Sequence, residues 1–364
     1  MLFLIILATF SSLCLLCICA LDLHSYVKAL KHLRRTKPNK TNARVAIVMW
    51  QTPKTRINEA QMNTLSAFLS NPNMCLRVGV VDDSDSTMQF PGTGDVAMVV
   101  ERRDIQGVLP AVLGLAAVEA CPAEIVLALD NCAMPSSLDI ARVLELVDTE
   151  NAYGFLFRPA PVERSLLGDF VCRLFCDLVP LLFATFGAKG LVPHAVCAPR
   201  EKVMKFASDT YARHSINIAS AIFRQFPNKD CHLVPLFLNV SCGFRRTNIF
   251  SLFLKHLSVL WSTSRQRYLA TLFSFCALPM ALVTLVFAHK GWIFLLVSYF
   301  LKAIFAVSWK MKGKKPGQVV ADLVLEVLRD ILAIVFMFFA LFKRKTMIAG
   351  KVYSIRNGGL LVED

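Results

Sequence analysis

The run Ile125-Val126-Leu127-Ala128-Leu129 ends in Asp130 and is closed by Pro135 and the pair Ser136-Ser137. Five unbroken apolar residues between turn formers fit a strand buried on both faces. Such strands belong to parallel sheets covered by helices on both sides. Parallel sheets place their chemistry just beyond the carboxyl ends of their strands, so Asp130 stands at a site position. Its other use is to cap a helix beginning near Ser137.

The segments before and after Asp130 repeat the pattern. Arg44–Trp50, Cys75–Val81 and Val96–Val100 read as short apolar strands, and Asn58–Leu69 and Gln106–Ala120 as helices. Leu138–Val147, Leu166–Phe186 and Tyr211–Phe226 also read as helical; Ala152–Phe157, His194–Pro199 and Val234–Val240 read as strands. Alternating elements predict an α/β fold with a mostly parallel sheet. The second strand runs into Asp82-Asp83-Ser84-Asp85-Ser86, so two strands of one sheet end in carboxylates.

The chain of 364 residues is 55% hydrophobic, which is more than one soluble domain needs and predicts membrane helices. Leu2–Ala20 is uncharged and long enough to span a bilayer; Lys28, Lys31, Arg34, Arg35, Lys37 and Lys40 follow it and place what comes next in the cytoplasm. Tyr268–Ala288 and Trp292–Ser308 form an apolar pair around a His289-Lys290-Gly291 turn. Val319–Phe342 carries Asp322, Glu326, Arg329 and Asp330, with basic residues on both flanks, which suits a segment that dips into the membrane without crossing.

The expected organisation is a transmembrane anchor over 1–22, a cytoplasmic catalytic domain over 43–250 and an amphipathic interface segment over 251–267. A transmembrane hairpin over 268–309, a membrane or re-entrant helix over 319–342 and a cytoplasmic tail over 343–364 complete it. This is an integral, multi-pass protein with its catalytic face in the cytoplasm, in a bacterial inner membrane or a Golgi or ER membrane. Oligomeric state has no sequence signature here.

The net charge of +14 is concentrated beside apolar segments, which favours lipid headgroups or a phosphate-bearing substrate over nucleic acid. The twelve cysteines form no metal-like pair of CxxC motifs; Cys14 and Cys17 lie inside an apolar helix, and the scatter fits a reducing compartment. There is no GxxxxGK[ST], GxSxG or HExxH, and Gly92-Thr93-Gly94 lacks the third glycine of a dinucleotide fingerprint. A membrane-anchored α/β domain with carboxylates at strand ends suits nucleotide-sugar chemistry. A divalent cation held by carboxylates neutralises a departing diphosphate, and a base deprotonates the acceptor hydroxyl.

Several stretches resemble the ceramide glucosyltransferases, membrane enzymes with a GT-A catalytic domain. These are Val81–Ser86, Leu129-Asp130-Asn131-Cys132, Cys197–Met204, Glu326–Asp330 and the tail Gly350–Gly359. The resemblance implies a GT-A-like fold flanked by transmembrane helices, and hexose (glucose) transfer from a UDP-sugar to a lipid hydroxyl such as that of ceramide. It implies nucleotide contacts from Asp82, Asp83 and Asp85, a basic contact from Arg200, and a Mn²⁺ or Mg²⁺ ligand in Asp130. Membrane lipid and nucleotide sugar are the implied partners.

Two motifs depart from the family. Its Glu-Asp pair falls on His214 and Ser215, leaving His214 or the nearby Asp209 as base. Its (Q/R)xxRW motif reads Leu257-Ser258-Val259-Leu260-Trp261, keeping Trp261 for the acceptor site and leaving Arg265 or Arg267 to supply the positive charge. A family member that binds lipid or a partner without catalysis is the alternative function.

Overall fold

The computed structural model describes residues 2–35, 43–51, 69–81, 95–101, 106–129, 134–135, 150–160, 182–186, 195–227, 229–241, 246–287, 291–305 and 326–364, with isolated positions at 63, 65–66, 143–145 and 147. Asp82, Asp83, Asp85 and Asp130 lie outside the described residues, as do most of the expected helices 58–69, 138–147 and 166–186 and the stretch 306–325.

An eight-stranded sheet organises the chain. Its strands are β1 (Val45–Gln51), β2 (Met74–Val81), β3 (Asp95–Glu101), β4 (Ile125–Leu129), β5 (Met134–Pro135), β6 (Ala152–Ala160), β7 (Ala195–Pro199) and β8 (Cys231–Ser241), in the order β3-β2-β1-β4-β7-β6-β8-β5. The half β3-β2-β1-β4 is wholly parallel. β7 runs antiparallel between β4 and β6, and β6 pairs parallel with β8. The fold is therefore mixed α/β. Strands β1 to β4, β6 and β8 all end at one edge, the carboxyl edge.

Alternation along the strands builds two cores. Ala46 and Val48 of β1 face one way, with Ala111, Leu115 and Val118 of helix α2 (Leu109–Glu119). Ile47 and Met49 face the other, with Leu76, Val78 and Val143. This is the period-2 pattern of a sheet covered on both faces. At Gly79 of β2 a Cβ would meet Leu113 O at 2.1 Å, so only glycine lets α2 lie this close to the sheet. That contact fixes where the amino end of α2 emerges, at the carboxyl edge.

After β7 come α3 (Arg200–Met204), α4 (Thr210–Arg213) and α5 (Ile218–Gln225). The single helix expected over 211–226 is broken, because Asn217 caps α5, its side chain accepting from Ser220 N at 2.8 Å. Ile218, Ile222 and Phe223 then bury against the first core.

The remaining helices are α1 (Leu2–Arg35), α6 (Arg246–Thr263), α7 (Arg265–Phe287), α8 (Gly291–Phe305) and α9 (Glu326–Phe342). Among the described residues two helices are long and apolar enough to cross a membrane, over Leu2–Lys31 and Arg265–Phe287. α7 packs against α1, α8 and α9. The chain ends in a separate antiparallel sheet of β9 (Lys345–Ile348), β10 (Lys351–Ile355) and β11 (Leu361–Glu363).

Candidate active site

The small terminal sheet is seated on the carboxyl edge of the large one. Val108, Ile216, Val259, Ile348, Tyr353 and Leu361 form one buried cluster that joins the start of α2, the α4–α5 connection, α6 and the terminal sheet. Tyr353, wholly buried, accepts a hydrogen bond from Leu109 N at 3.4 Å. No side chain at Val108 caps α2, so a residue more than two hundred positions away serves one of its orphan amides. Val108 N donates to Arg213 O at 2.8 Å, and Leu361 N donates to His214 O at 3.1 Å. Gly359 adopts φ +78, and a Cβ there would lie 2.6 Å from Thr263 Oγ1. Its carbonyl accepts from Arg224 Nη1 at 3.4 Å. Burial lowers the Arg224 guanidinium to about 10, which still leaves it cationic at neutral pH.

His214 stands in this assembly. Its Nδ1 lies 2.8 Å from Thr210 O. A carbonyl only accepts, so Nδ1 is the donor of this bond, and in the neutral ring Nε2 is the nitrogen with the lone pair. Asp209 is placed differently. It is the N-cap of α4, its carboxylate accepting from Tyr211 N at 2.8 Å. The two residues considered for the base are thus distinguished by geometry: the imidazole is oriented through its Nδ1, while the carboxylate is engaged as a cap.

Trp261 and Arg265 are brought together at the α6–α7 corner. The Arg265 guanidinium lies 5.5 Å from the centre of the Trp261 ring, and Trp261 meets Tyr268 edge to face at 5.4 Å. Cation–π contact of this kind orients the charge against the ring. Arg267 points elsewhere and donates to Thr185 O at 3.3 Å.

Arg200 requires a correction. β7 runs antiparallel to β4, so Arg200 follows the end of β7 at the amino edge, beside Glu124, to whose carbonyl its own N donates at 2.8 Å. Its side chain bonds Val118 O (3.1 Å) and Glu119 O (2.8 Å), closing the carboxyl end of α2. It faces away from the edge where β2 and β4 end and serves the helix, not a nucleotide there. Nearby, Cys121 is held down to about 7, first by a hydrogen bond with Cys75 and further by the charges of Arg200 and Arg77.

The terminal sheet, with Tyr353, Gly359 and Leu361, falls in the segment expected from sequence only as a cytoplasmic tail over 343–364. The alternation in Lys351-Val352-Tyr353-Ser354-Ile355 is the signal that identifies it. Among the described residues no group of three His, Cys, Asp or Glu side chains is placed to hold a metal ion.

No family model and no curated protein sequence matches the chain. Solved structures similar to it include the mannosyltransferase PcManGT from Pyrobaculum calidifontis in complex with GDP-Man and Mn²⁺, at 13% identity over 92% of this chain and 96% of that one, with a TM-score of 0.48. Glucosyl-3-phosphoglycerate synthase from Mycobacterium tuberculosis is similar at 14% identity over 63% and 81%, with a TM-score of 0.40. TarS from S. aureus in complex with UDP-GlcNAc is similar at 11% identity over 88% and 99%, with a TM-score of 0.38. At these scores the likenesses carry no weight in assigning the site, which rests on the geometry above.

Proposed function

We propose that the chain is a membrane glycosyltransferase that moves a hexose, glucose, from a UDP-sugar to a lipid hydroxyl such as that of ceramide. The observation that carries this reading is topological. Val81 of β2 and Leu129 of β4 end at one edge, with only β1 between them. Strands two apart lie about 10 Å from each other, a span that one diphosphate and one cation bridge. Asp82-Asp83 and Asp130 follow these strand ends directly in the sequence.

Under this proposal Asp82, Asp83 and Asp85 receive the nucleoside, and Asp130 holds Mn²⁺ or Mg²⁺, hard cations that prefer carboxylate oxygens. The ion, when bound, neutralises charge on the diphosphate. His214 Nε2 takes the proton of the acceptor hydroxyl, its ring held by Thr210 O. Arg265, stacked on Trp261, offers a fixed positive charge at the membrane-facing corner. The apolar helices α1 and α7 suit an acceptor dissolved in lipid.

One observation favours the non-catalytic alternative: Asp209, the nearest carboxylate to the expected acidic pair, is occupied as a helix cap. The test is transfer of radiolabelled glucose from UDP-glucose in membranes supplied with mixed lipid acceptors. Labelled lipid that requires a divalent ion and is abolished by D130A and H214A supports the proposal. Absence of transfer from any UDP-sugar would leave the binding role as the reading.

A further inference from the structure

Arg213 ends α4, and His214 follows it directly. Its carbonyl accepts from Val108 N at 2.8 Å, just ahead of α2. Gly107 makes this approach possible. It adopts φ +131, and a Cβ there would lie 2.7 Å from Arg213 O and 3.1 Å from Arg213 Cβ. The backbone of Arg213 is therefore fixed against the amino end of α2.

The close contact of α2 with β2 sets the height of that end in the sheet. A Cβ at Gly79 would meet Leu113 O, so these two residues are level. Leu109 lies about 6 Å from Leu113, one turn nearer the carboxyl edge. Val81, the last residue of β2, lies about 7 Å from Gly79 in the same direction. Leu109 and Val81 are thus level too. Arg213 is bonded beside Leu109, at the height where β2 runs into Asp82-Asp83.

The fold makes no use of the Arg213 side chain. Its Nε is sealed from solvent without a hydrogen-bond partner, and among the described residues the side chain makes no ion pair. A guanidinium carries five N–H donors and stays charged. The other arginines of this region are engaged: Arg224 bonds Gly359 O, and Arg265 rests on Trp261. The field of α2 has the same sign, since a helix is positive at its amino end. Its first N–H groups are already taken by Arg213 O and the Tyr353 hydroxyl, and Pro110 has none, so the donors offered here are those of the side chain.

We propose that Arg213 binds the diphosphate of the nucleotide sugar. A guanidinium fork matches phosphate oxygens in pairs of charge-assisted bonds. The inference rests on the glycosyltransferase reading and adds to it a basic contact at the carboxyl edge, where Arg200 supplies none.

Calorimetric titration of the detergent-purified full chain with UDP and with uridine, Mn²⁺ present, tests it. R213A and R213M, the second keeping an apolar stem, each weaken UDP by about tenfold, the effect of one lost charge-assisted contact. Both leave uridine binding unchanged, which also shows that the variants fold. R213K falls between, because an ammonium is a point charge without the fork. R200A removes a guanidinium at the opposite edge and leaves UDP binding in place. Dioleoyl phosphatidate added to the micelles does not displace UDP. Unchanged UDP binding in R213A and R213M would overturn the inference and leave the donor reading standing, whereas a wild type that binds no UDP sinks both. Equal losses for UDP and uridine, a loss in R200A as large as in R213A, or displacement of UDP by phosphatidate would each overturn the inference as well.

Discussion

Lys302 Nζ of α8 lies 2.5 Å from Asp330 Oδ1 of α9, and the two side chains are 7% and 1% exposed. A buried pair of this kind is costly to break from one side and cheap to replace as a unit. K302M or D330L alone removes one side of the buried pair and destabilises the protein by about 3–5 kcal/mol. The double variant K302M/D330L recovers most of that loss. Thermal unfolding of the four proteins in one detergent gives the coupling, and additive single effects would show that the pair does not act as a unit.

Tyr353 to Phe deletes the acceptor that Leu109 N uses at the start of α2. A buried amide left without a partner costs about 1–3 kcal/mol. Burial raises the Tyr353 hydroxyl to about 12, from an ordinary value of 10.0. The fold therefore favours the neutral form. The associated stability is fully present below pH 10 and is lost as pH climbs from 10 toward 12. Melting curves across that interval fall more steeply for the wild type than for Y353F.

Arg200 to Ala separates a helix-closing role from a nucleotide-binding one. Two carbonyls at the end of α2 lose their donors, and stability drops by about 1–3 kcal/mol. The KM for UDP-sugar stays within about twofold, since the side chain sits at the amino edge. A rise in KM of tenfold or more at unchanged kcat would return Arg200 to the donor site.

Cys121 titrates early. Its thiol, bonded to Cys75 and flanked by Arg200 and Arg77, is lowered to about 7 from 9.0. A depressed value means the fold favours the thiolate. The stability it contributes is present above pH 9 and is lost as pH falls through about 7. Thiolate ultraviolet absorbance with a midpoint near neutrality, absent in C121A and shifted upward in R200A, is the expected result.

Gly359 to Ala forces a side chain into the left-handed region and against Thr263. The terminal sheet loosens by about 1–3 kcal/mol. Hydrogen exchange quickens across 345–363, the Leu361 amide included, because its bond to His214 O loosens with the sheet. Protection at β1 and β4 is unchanged.

The apolar runs of β1, β2 and β4 were readable because a strand buried on both faces leaves little room for polar residues. The break between α4 and α5 was not. Its cause is local, Asn217 bonding Ser220 N, and the apolar spacing continues across it. His214 was legible as a candidate from its place in a motif. What orients it, the carbonyl of Thr210, is a backbone group and leaves no mark in residue identity. Tyr353 was hidden for a different reason: its partner Leu109 is distant in the chain, and pairing at that range follows from the assembled fold. Arg200 was misread because a turn after a strand shows its residue types, while only the antiparallel direction of β7 says at which edge it falls.

The terminal sheet follows the large one late in the chain, yet it closes over His214 and the first turn of α2. The large sheet is complete in sequence by Ser241, more than a hundred residues earlier. During synthesis the strands and helices that bear the site therefore exist before the site is closed. A ribosome stalled ahead of residue 345 displays the large sheet without this cover, so the order of translation leaves His214 and the start of α2 uncapped until helices α6 to α9 have been made.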